Sequence, residues 1–364
     1  MRCSPLLLLL LTAMACGSPP THDSGPSEAG SSAAESSSGA GSGSSGGAST
    51  SAPTTGAASS SGDLPSEEGL RLNHLQAMGT HNSYHVSSGD AVKDIDYTHL
   101  PLPEQLDHGA RQFELDLNFK QPGDPVEVYH LALLDPGTTC MLLTDCLQAL
   151  RGWSDAHPGH HLLYVMFEFK TTYNAVIGPE LMASLEQQIT SIWPRERIVA
   201  PDDVQGDAAT LSEGLAARGW PTIDATRGKI LLVLHDGGNW RATYVKGGLA
   251  GHLLFPDAFG DLSLPYAAVH TLNDPSGDAA KITAALDAGH LVRTRADADN
   301  IEPLAGDDTR ALAALASGAT FISTDYPPPK GDLDYVFEIP GGQPSRCNPR
   351  TAPEDCTLAE IEAL

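Results

Sequence analysis

Arg111-Gln112-Phe113-Glu114-Leu115-Asp116-Leu117 decides the fold. The run is short, reads as a buried strand, and sets two carboxylates two positions apart. On an extended strand residues at that spacing face the same side, so Glu114 pairs with Asp116. Comparable runs recur at 74–80, 126–131, 162–170, 229–235, 267–272, 290–295 and 320–325. Each has the length and bounding residues of a buried strand. Stretches at 140–157, 179–193, 277–288 and 307–317 between them read as helices. Eight strands, mostly separated by helices, favour an α/β fold of the TIM-type (β/α)8 barrel over a doubly wound open sheet. The runs at 111–117 and 126–131 are too close for a full crossover helix, so irregularity is expected there.

The polar residues that end these runs carry the chemistry. Thr80-His81-Asn82-Ser83 ends the first, Glu114-Leu115-Asp116 the second, His130 the third and Glu168-Phe169-Lys170 the fourth. In a barrel their shared side is the interior near the C-terminal mouth, where active sites form. Asn82, Glu114, Asp116 and Glu168 offer oxygen ligands suited to a hard cation such as calcium or magnesium. A clustered Cys/His set that would suit zinc is lacking. His81 and His130 can exchange protons near working pH. A divalent ion, the Lys170 ammonium and two imidazoles together equip a site for phosphoryl transfer. Singly, each has a plainer reading. A strand-end carboxylate pair is more often a solvated edge, and His157, His160 and His161 read as solvated helix-end or loop residues. Tyr84, Trp240 and Phe255 fit either an apolar mouth or the core. The ordering over four successive runs is what argues for a site.

The N-terminal segment 1–16 reads as a targeting signal, with Arg2, an apolar Leu6–Leu11 core and Ala13-Met14-Ala15-Cys16. It is too short for a permanent span. Small residues before Cys16 resemble a bacterial lipobox, which makes Cys16 a lipid anchor; an ordinary signal peptide cut nearby is the alternative. Either way the chain is exported, and the lipoprotein reading places it on the outer side of a bacterial membrane. Residues 17–65, rich in Ser, Gly, Ala, Thr and Pro, lack the apolar side chains to offset ordering entropy and read as a disordered tether. Residues 66–364 suffice for one barrel domain. The formal charge of −25 excludes a nucleic-acid partner and requires local cations or a metal to meet any anionic substrate. Cys140 with Cys146, and Cys347 with Cys356, read as local disulfides of an oxidising compartment.

Leu70-Arg71-Leu72-Asn73-His74-Leu75-Gln76, followed by Gly79-Thr80-His81-Asn82-Ser83-Tyr84, resembles the opening of the bacterial calcium-dependent phosphatidylinositol-specific phospholipase C family. The similarity continues through Ala110–Asp116, Val128-Tyr129-His130, Cys140 with Cys146, Phe167–Lys170, Leu291–Asp297 and Ser323–Tyr326. The resemblance implies Ca2+ as cofactor, with Asn82, Glu114, Asp116 and Glu168 as its ligands. His81 and His130 match the family's catalytic histidines. Lys170 and Arg293 are expected on phosphate oxygens, with salt bridges to Glu168 or Asp297 as the structural alternative. The implied reaction is attack of the inositol 2-hydroxyl on phosphorus, with His81 or a carboxylate such as Glu114 as base. His130 protonates the departing diacylglycerol, leaving a cyclic inositol phosphate. Phospholipid at a membrane surface is then the partner. Glycerophosphodiester phosphodiesterases share the order His, Glu-x-Asp, His, Glu but typically open with His-Arg-Gly, where this chain has His81-Asn82-Ser83. An amide binds calcium and an arginine does not, so the departure favours the phospholipase branch. Such a phosphodiesterase stands as the alternative, beside a non-catalytic surface-binding lipoprotein.

Overall fold

A computed structural model describes residues 69–89, 95–170, 177–341 and 344–362. The targeting segment and the tether lie outside the described residues. Eleven strands form: β1 Leu75–Thr80, β2 Gln112–Asn118, β3 Glu127–Val128, β4 Leu163–Phe169, β5 Ile198–Val199, β6 Ile230–His235, β7 Leu254–Pro256, β8 Val269–Thr271, β9 Leu291–Arg295, β10 Phe321–Thr324 and β11 Ser345–Cys347. Eight of them close a parallel ring. β1 pairs β2, β2 pairs β4, β4 pairs β6 and β6 pairs β7. A parallel bridge between Asp257 and Val269 joins β7 to β8, and β9 and β10 return the ring to β1. Helices Leu143–Ala156, Pro179–Ile192, Ala279–Asp287 and Thr309–Ser317 lie between strands, as the apolar spacing predicts. The first buries Leu143, Leu147, Leu150 and Trp153, a single helical face.

The ring is uneven. β2 and β4 share six register pairs, whereas β1 meets β2 only at Gly79↔Gln112. A side chain at Gly79 would run into Gln112, so only glycine permits that close approach. Two expectations need correction. The run at 126–131 is not a barrel strand: only Glu127–Val128 is extended, and it pairs antiparallel with the end of β2. An antiparallel neighbour needs no crossover, which explains the short gap. The eighth barrel strand is instead β7, whose three residues are too few to show as a run. It shares the outer edge of β6 with the two-residue β5.

Tyr84, Trp240 and Phe255 are all buried and belong to the core, not to an apolar mouth. His160 and His161 are fully buried rather than solvated. Both expected disulfides, Cys140–Cys146 and Cys347–Cys356, are present.

Candidate active site

Strand register builds the site. Asp116 on β2 lies beside Glu168 on β4, and Glu168 lies beside His235 on β6. Three neighbouring strands therefore end in acidic or imidazole side chains at one level. Glu114 sits two residues deeper on the same side as Asp116. Ligand atoms of Glu114, Glu168 and His235 all lie within 4.8 Å of one another. Arg293 Nη2 on β9 donates to Glu114 Oε2 at 2.6 Å. β1 and β10 separate those two strands in the ring, so this ion pair crosses the barrel interior.

Charge is unevenly balanced here. Burial pushes Asp116 upward and Glu168 pushes it further, to about 8, although Lys170 opposes both. Lys170 Nζ bridges the two carboxylates, 2.8 Å from Asp116 Oδ2 and 2.6 Å from Glu168 Oε1. Glu114 is equally buried, yet Arg293, aided by His81 and His235, outweighs that burial and brings its carboxyl down to about 2. Asn82 adds an amide at the end of β1. Its backbone is left-handed (φ 43°), and its Nδ2 donates to the Tyr97 hydroxyl at 3.2 Å. Its buried Oδ1 has no hydrogen-bond partner. An orphaned amide oxygen beside a carboxylate cluster that repels its own ionisation fits a hard divalent cation, which would relieve both. Asn82, Glu114, Asp116 and Glu168 are the oxygen donors that would hold such an ion, and Glu114 and Glu168 converge with His235.

Three histidines surround this cluster, and each gives Nδ1 to a buried aspartate. His81 meets Asp325 Oδ1 at 2.8 Å, His130 meets Asp135 Oδ2 at 2.9 Å and His235 meets Asp257 Oδ2 at 2.7 Å. That arrangement leaves every Nε2 for other work. Asp325 also receives Arg295 Nη2 at 2.7 Å and takes its backbone N–H bond to Asp297. Arg295 holds Asp325 far below the usual carboxylate range, against its burial. Asp135 is shared with His85 Nε2 at 2.8 Å. Burial lowers His130, while Asp135 pulls it back up. Burial pulls His235 down, but the Asp257 bond and charge together with Glu114 and Glu168 outweigh it, and His235 is raised.

A family model described as "Phosphoinositide phospholipase C, Ca2+-dependent" matches residues 70–125 and 118–349. The chain belongs to this family. Two solved structures share the fold. The calcium-dependent phosphoinositol-specific phospholipase C of Pseudomonas sp is 17% identical, covering 78% of this chain and 97% of its own, with a TM-score of 0.58. The Ca2+-dependent phosphatidylinositol-specific phospholipase C of Streptomyces antibioticus is 21% identical, covering 70% of this chain and 95% of its own, with a TM-score of 0.52. No curated protein matches. As a calcium-dependent phosphoinositide phospholipase C, the chain is an enzyme with Ca2+ as its cofactor.

The phospholipase mouth brings together His81, Asn82, Glu114, Asp116, His130, Glu168 and Lys170, the residues singled out from sequence. Arg293 lies deeper, 1% exposed, and is committed to Glu114 and Asn273. Its ion pair is with Glu114, not Asp297. Sequence reasoning missed His235 and the three aspartates. His235 and Asp325 end their runs as His81 and Glu168 do, so the strand-end rule applied to later strands finds them. Asp135, in a loop, carries no such signal.

Proposed function

We propose that the enzyme cleaves phosphatidylinositol to diacylglycerol and inositol cyclic phosphate, with His81 as base and His130 as acid. The observation that carries this reading is the pair of imidazoles flanking the acidic cluster, each tied through Nδ1 to a buried aspartate. Bound Ca2+ offsets negative charge on the phosphate and makes the inositol 2-hydroxyl more acidic. His81 Nε2 accepts the proton of that hydroxyl as its oxygen bonds to phosphorus. Glu114 makes the poorer base, because its carboxyl is held at about 2. The phosphorus–oxygen bond to diacylglycerol breaks, and His130 Nε2 delivers a proton to that oxygen. Reversed roles, with water attacking, open the cyclic product. Asp325 and Asp135 fix the tautomers that leave Nε2 facing the reaction. Lys170 meets phosphate oxygens, while Arg293 acts through Glu114 by keeping it ionised.

The same reading makes Cys16 a lipid anchor and residues 17–65 a tether that lets the barrel reach phospholipid from the outer side of a bacterial membrane. Mass spectrometry of the mature N-terminus tests this; an N-terminus far from Cys16 overturns it. The function itself is tested by turnover of phosphatidylinositol, glycerophosphoinositol and phosphatidylcholine with and without calcium. Calcium-dependent release of diacylglycerol from phosphatidylinositol alone is expected. Preference for glycerophosphoinositol would transfer the chain to the glycerophosphodiesterase reaction.

A further inference from the structure

His85 is buried and takes no part in the proposed proton transfers. Its Nε2 lies 2.9 Å from Asp135 Oδ1 and 2.8 Å from Asp135 Oδ2, so a single ring nitrogen spans both oxygens of that carboxylate. His130 Nδ1 meets the same Oδ2 at 2.9 Å. One fully buried aspartate therefore stands between two imidazoles. The other nitrogen of His85, Nδ1, is buried with no hydrogen-bond partner. The ring hydrogen accordingly belongs on Nε2, where the carboxylate accepts it.

The two ends of this contact are anchored differently. Asp135 closes the turn 131–135, where its backbone exchanges hydrogen bonds of 3.0 and 2.8 Å with Leu131. Leu133 and Leu134 at the tip are 95% and 71% exposed, so packing there does not hold the turn. His85 comes instead from the segment that continues β1 past His81 and Asn82. Its N–H donates to Asn82 O at 2.8 Å, its carbonyl accepts the His99 N–H at 2.9 Å, and its ring centre lies 4.7 Å from that of buried Tyr97. Val86 N donates to Gly137 O at 3.2 Å and Thr139 N to Tyr84 O at 2.7 Å, which pairs this segment with the chain just after Asp135. A side chain at Gly137 would strike the Val86 carbonyl, so only glycine allows that approach.

We infer that His85 is the positioning residue of the general acid: it fixes the Asp135 carboxylate to the end of β1 and, through it, the ring of His130. This rests on the proposed role of His130 and deepens it. A carboxylate free to turn offers His130 either oxygen or neither, and the imidazole then loses both its tautomer and its aim. With both oxygens engaged by one anchored donor, Asp135 keeps a single orientation and so does the ring that leans on it. The same contact ties the acid to the base, because His85 lies four residues beyond His81 on one segment.

The test uses the full chain with calcium and compares phosphatidylinositol with a nitrophenyl inositol phosphate, whose leaving group needs little protonation. His85→Phe keeps the volume of the ring and removes its donor. It should lower kcat on phosphatidylinositol about tenfold, a part of the about 10²- to 10⁴-fold that the acid itself supplies. Loss on the nitrophenyl ester should stay below about twofold, with calcium affinity unchanged. His85→Gln, which places an amide N–H at the level of Nε2, should return phosphatidylinositol turnover to within about threefold of the parent. His85→Asn, whose amide stops at the level of Nδ1, should not, and it takes the place of His85→Phe if that variant does not fold. Histidine ¹⁵N shifts read the same contact without turnover. His130 should hold the Nδ1–H tautomer in the parent and populate both tautomers in His85→Phe and His85→Asn. Undiminished phosphatidylinositol turnover in these variants overturns the proposal. So does equal loss on the two substrates, which a general loss of structure would produce, and so does an unchanged His130 tautomer. A parent that turns over no phosphatidylinositol, with a His130 tautomer that still depends on His85, would refute the proposed reaction and sustain the positioning.

Discussion

Histidines at the mouth and histidines elsewhere in the barrel are partnered differently. His81, His130 and His235 each meet a buried carboxylate through Nδ1. His160 and His161, in the connection before β4, meet the Ser154 and Ser345 hydroxyls and the carbonyls of His161 and Leu162, and the carboxylate near them, Glu362, stands back at 3.4 Å from His161 Nε2. His270, on β8, and His290, just before β9, stack and hydrogen-bond to each other at 2.7 Å. A carboxylate stabilises the imidazolium and lets a ring cycle between charge states; a hydroxyl, a carbonyl or a second neutral ring does not. A carboxylate partner alone does not mark the mouth, since His161 Nε2 lies 3.4 Å from Glu362 and His252 Nδ1 3.2 Å from Glu186; the mouth rings are set apart by a close buried aspartate together with their place beside the acidic cluster.

The comparison breaks first, and most visibly, if the mouth histidines prove interchangeable. His81→Ala and His130→Ala should each lower phosphatidylinositol turnover by about 10²- to 10⁴-fold, the usual cost of a lost proton-transfer group. A nitrophenyl leaving group needs little protonation, so it should partly rescue His130→Ala and leave His81→Ala inactive. His235→Ala should act through calcium instead, with excess ion restoring part of the rate. Near-normal turnover without His81 or His130 would end the mechanism. Equal losses on both leaving groups for His130→Ala would keep the site but overturn the assigned role.

A smaller effect separates the three aspartates. Asp135→Asn should lower kcat by roughly ten- to a hundredfold with calcium affinity unchanged, because an amide no longer selects the tautomer. Asp257→Asn should move the calcium titration by about 10–100-fold, the usual consequence of losing a partner behind a metal-side histidine. Asp325→Asn should cost activity and also about 3–5 kcal/mol of stability, since it strands the buried Arg295. Calorimetry and calcium titration of the three variants would show whether these carboxylates differ as described.

The first half of the barrel was readable because its strand ends concentrate polar residues on long runs. β2 and β4, seven residues each, declare both fold and site. β7 is three residues long and is recognised only through its neighbours, by pairing with β6 and bridging to β8. Its site residue Asp257 was invisible for the same reason. The run at 126–131 misled because an antiparallel add-on strand and a barrel strand have one apolar pattern. His160 and His161 read as solvated because they follow a helix end in a loop; only the fold reveals that Trp153 and Glu362 cover them. Asp135, Tyr97 and Arg295 act through partners distant in sequence or hidden in loops, and local spacing does not encode them.

The remaining test concerns the histidines outside the mouth, and reads stability rather than rate. Burial holds His160, His161, His270 and His290 at about 4, against an ordinary 6.5. Between those values the unfolded chain binds protons that the folded chain refuses. Their contribution is therefore complete above pH 6.5 and is lost as pH falls toward 4. At about pH 5.5 each such group costs about 1 kcal/mol relative to neutral pH. Two carboxyls act in the opposite sense. Burial and Asp325 push Asp297 up to about 6, and burial and Glu168 push Asp116 up to about 8. Both favour the folded state at lower pH, but they are outnumbered, and saturating calcium, held by Asp116 as proposed, would keep that carboxyl ionised. In calcium, Tm should fall by roughly 5–10 °C between about pH 7.5 and 5.5. His160→Gln, which retains a donor and an acceptor for Ser154 and the His161 carbonyl, should make that fall shallower. An unchanged Tm across the interval would mean that these rings accept protons while folded, and the contrast with the mouth would fail.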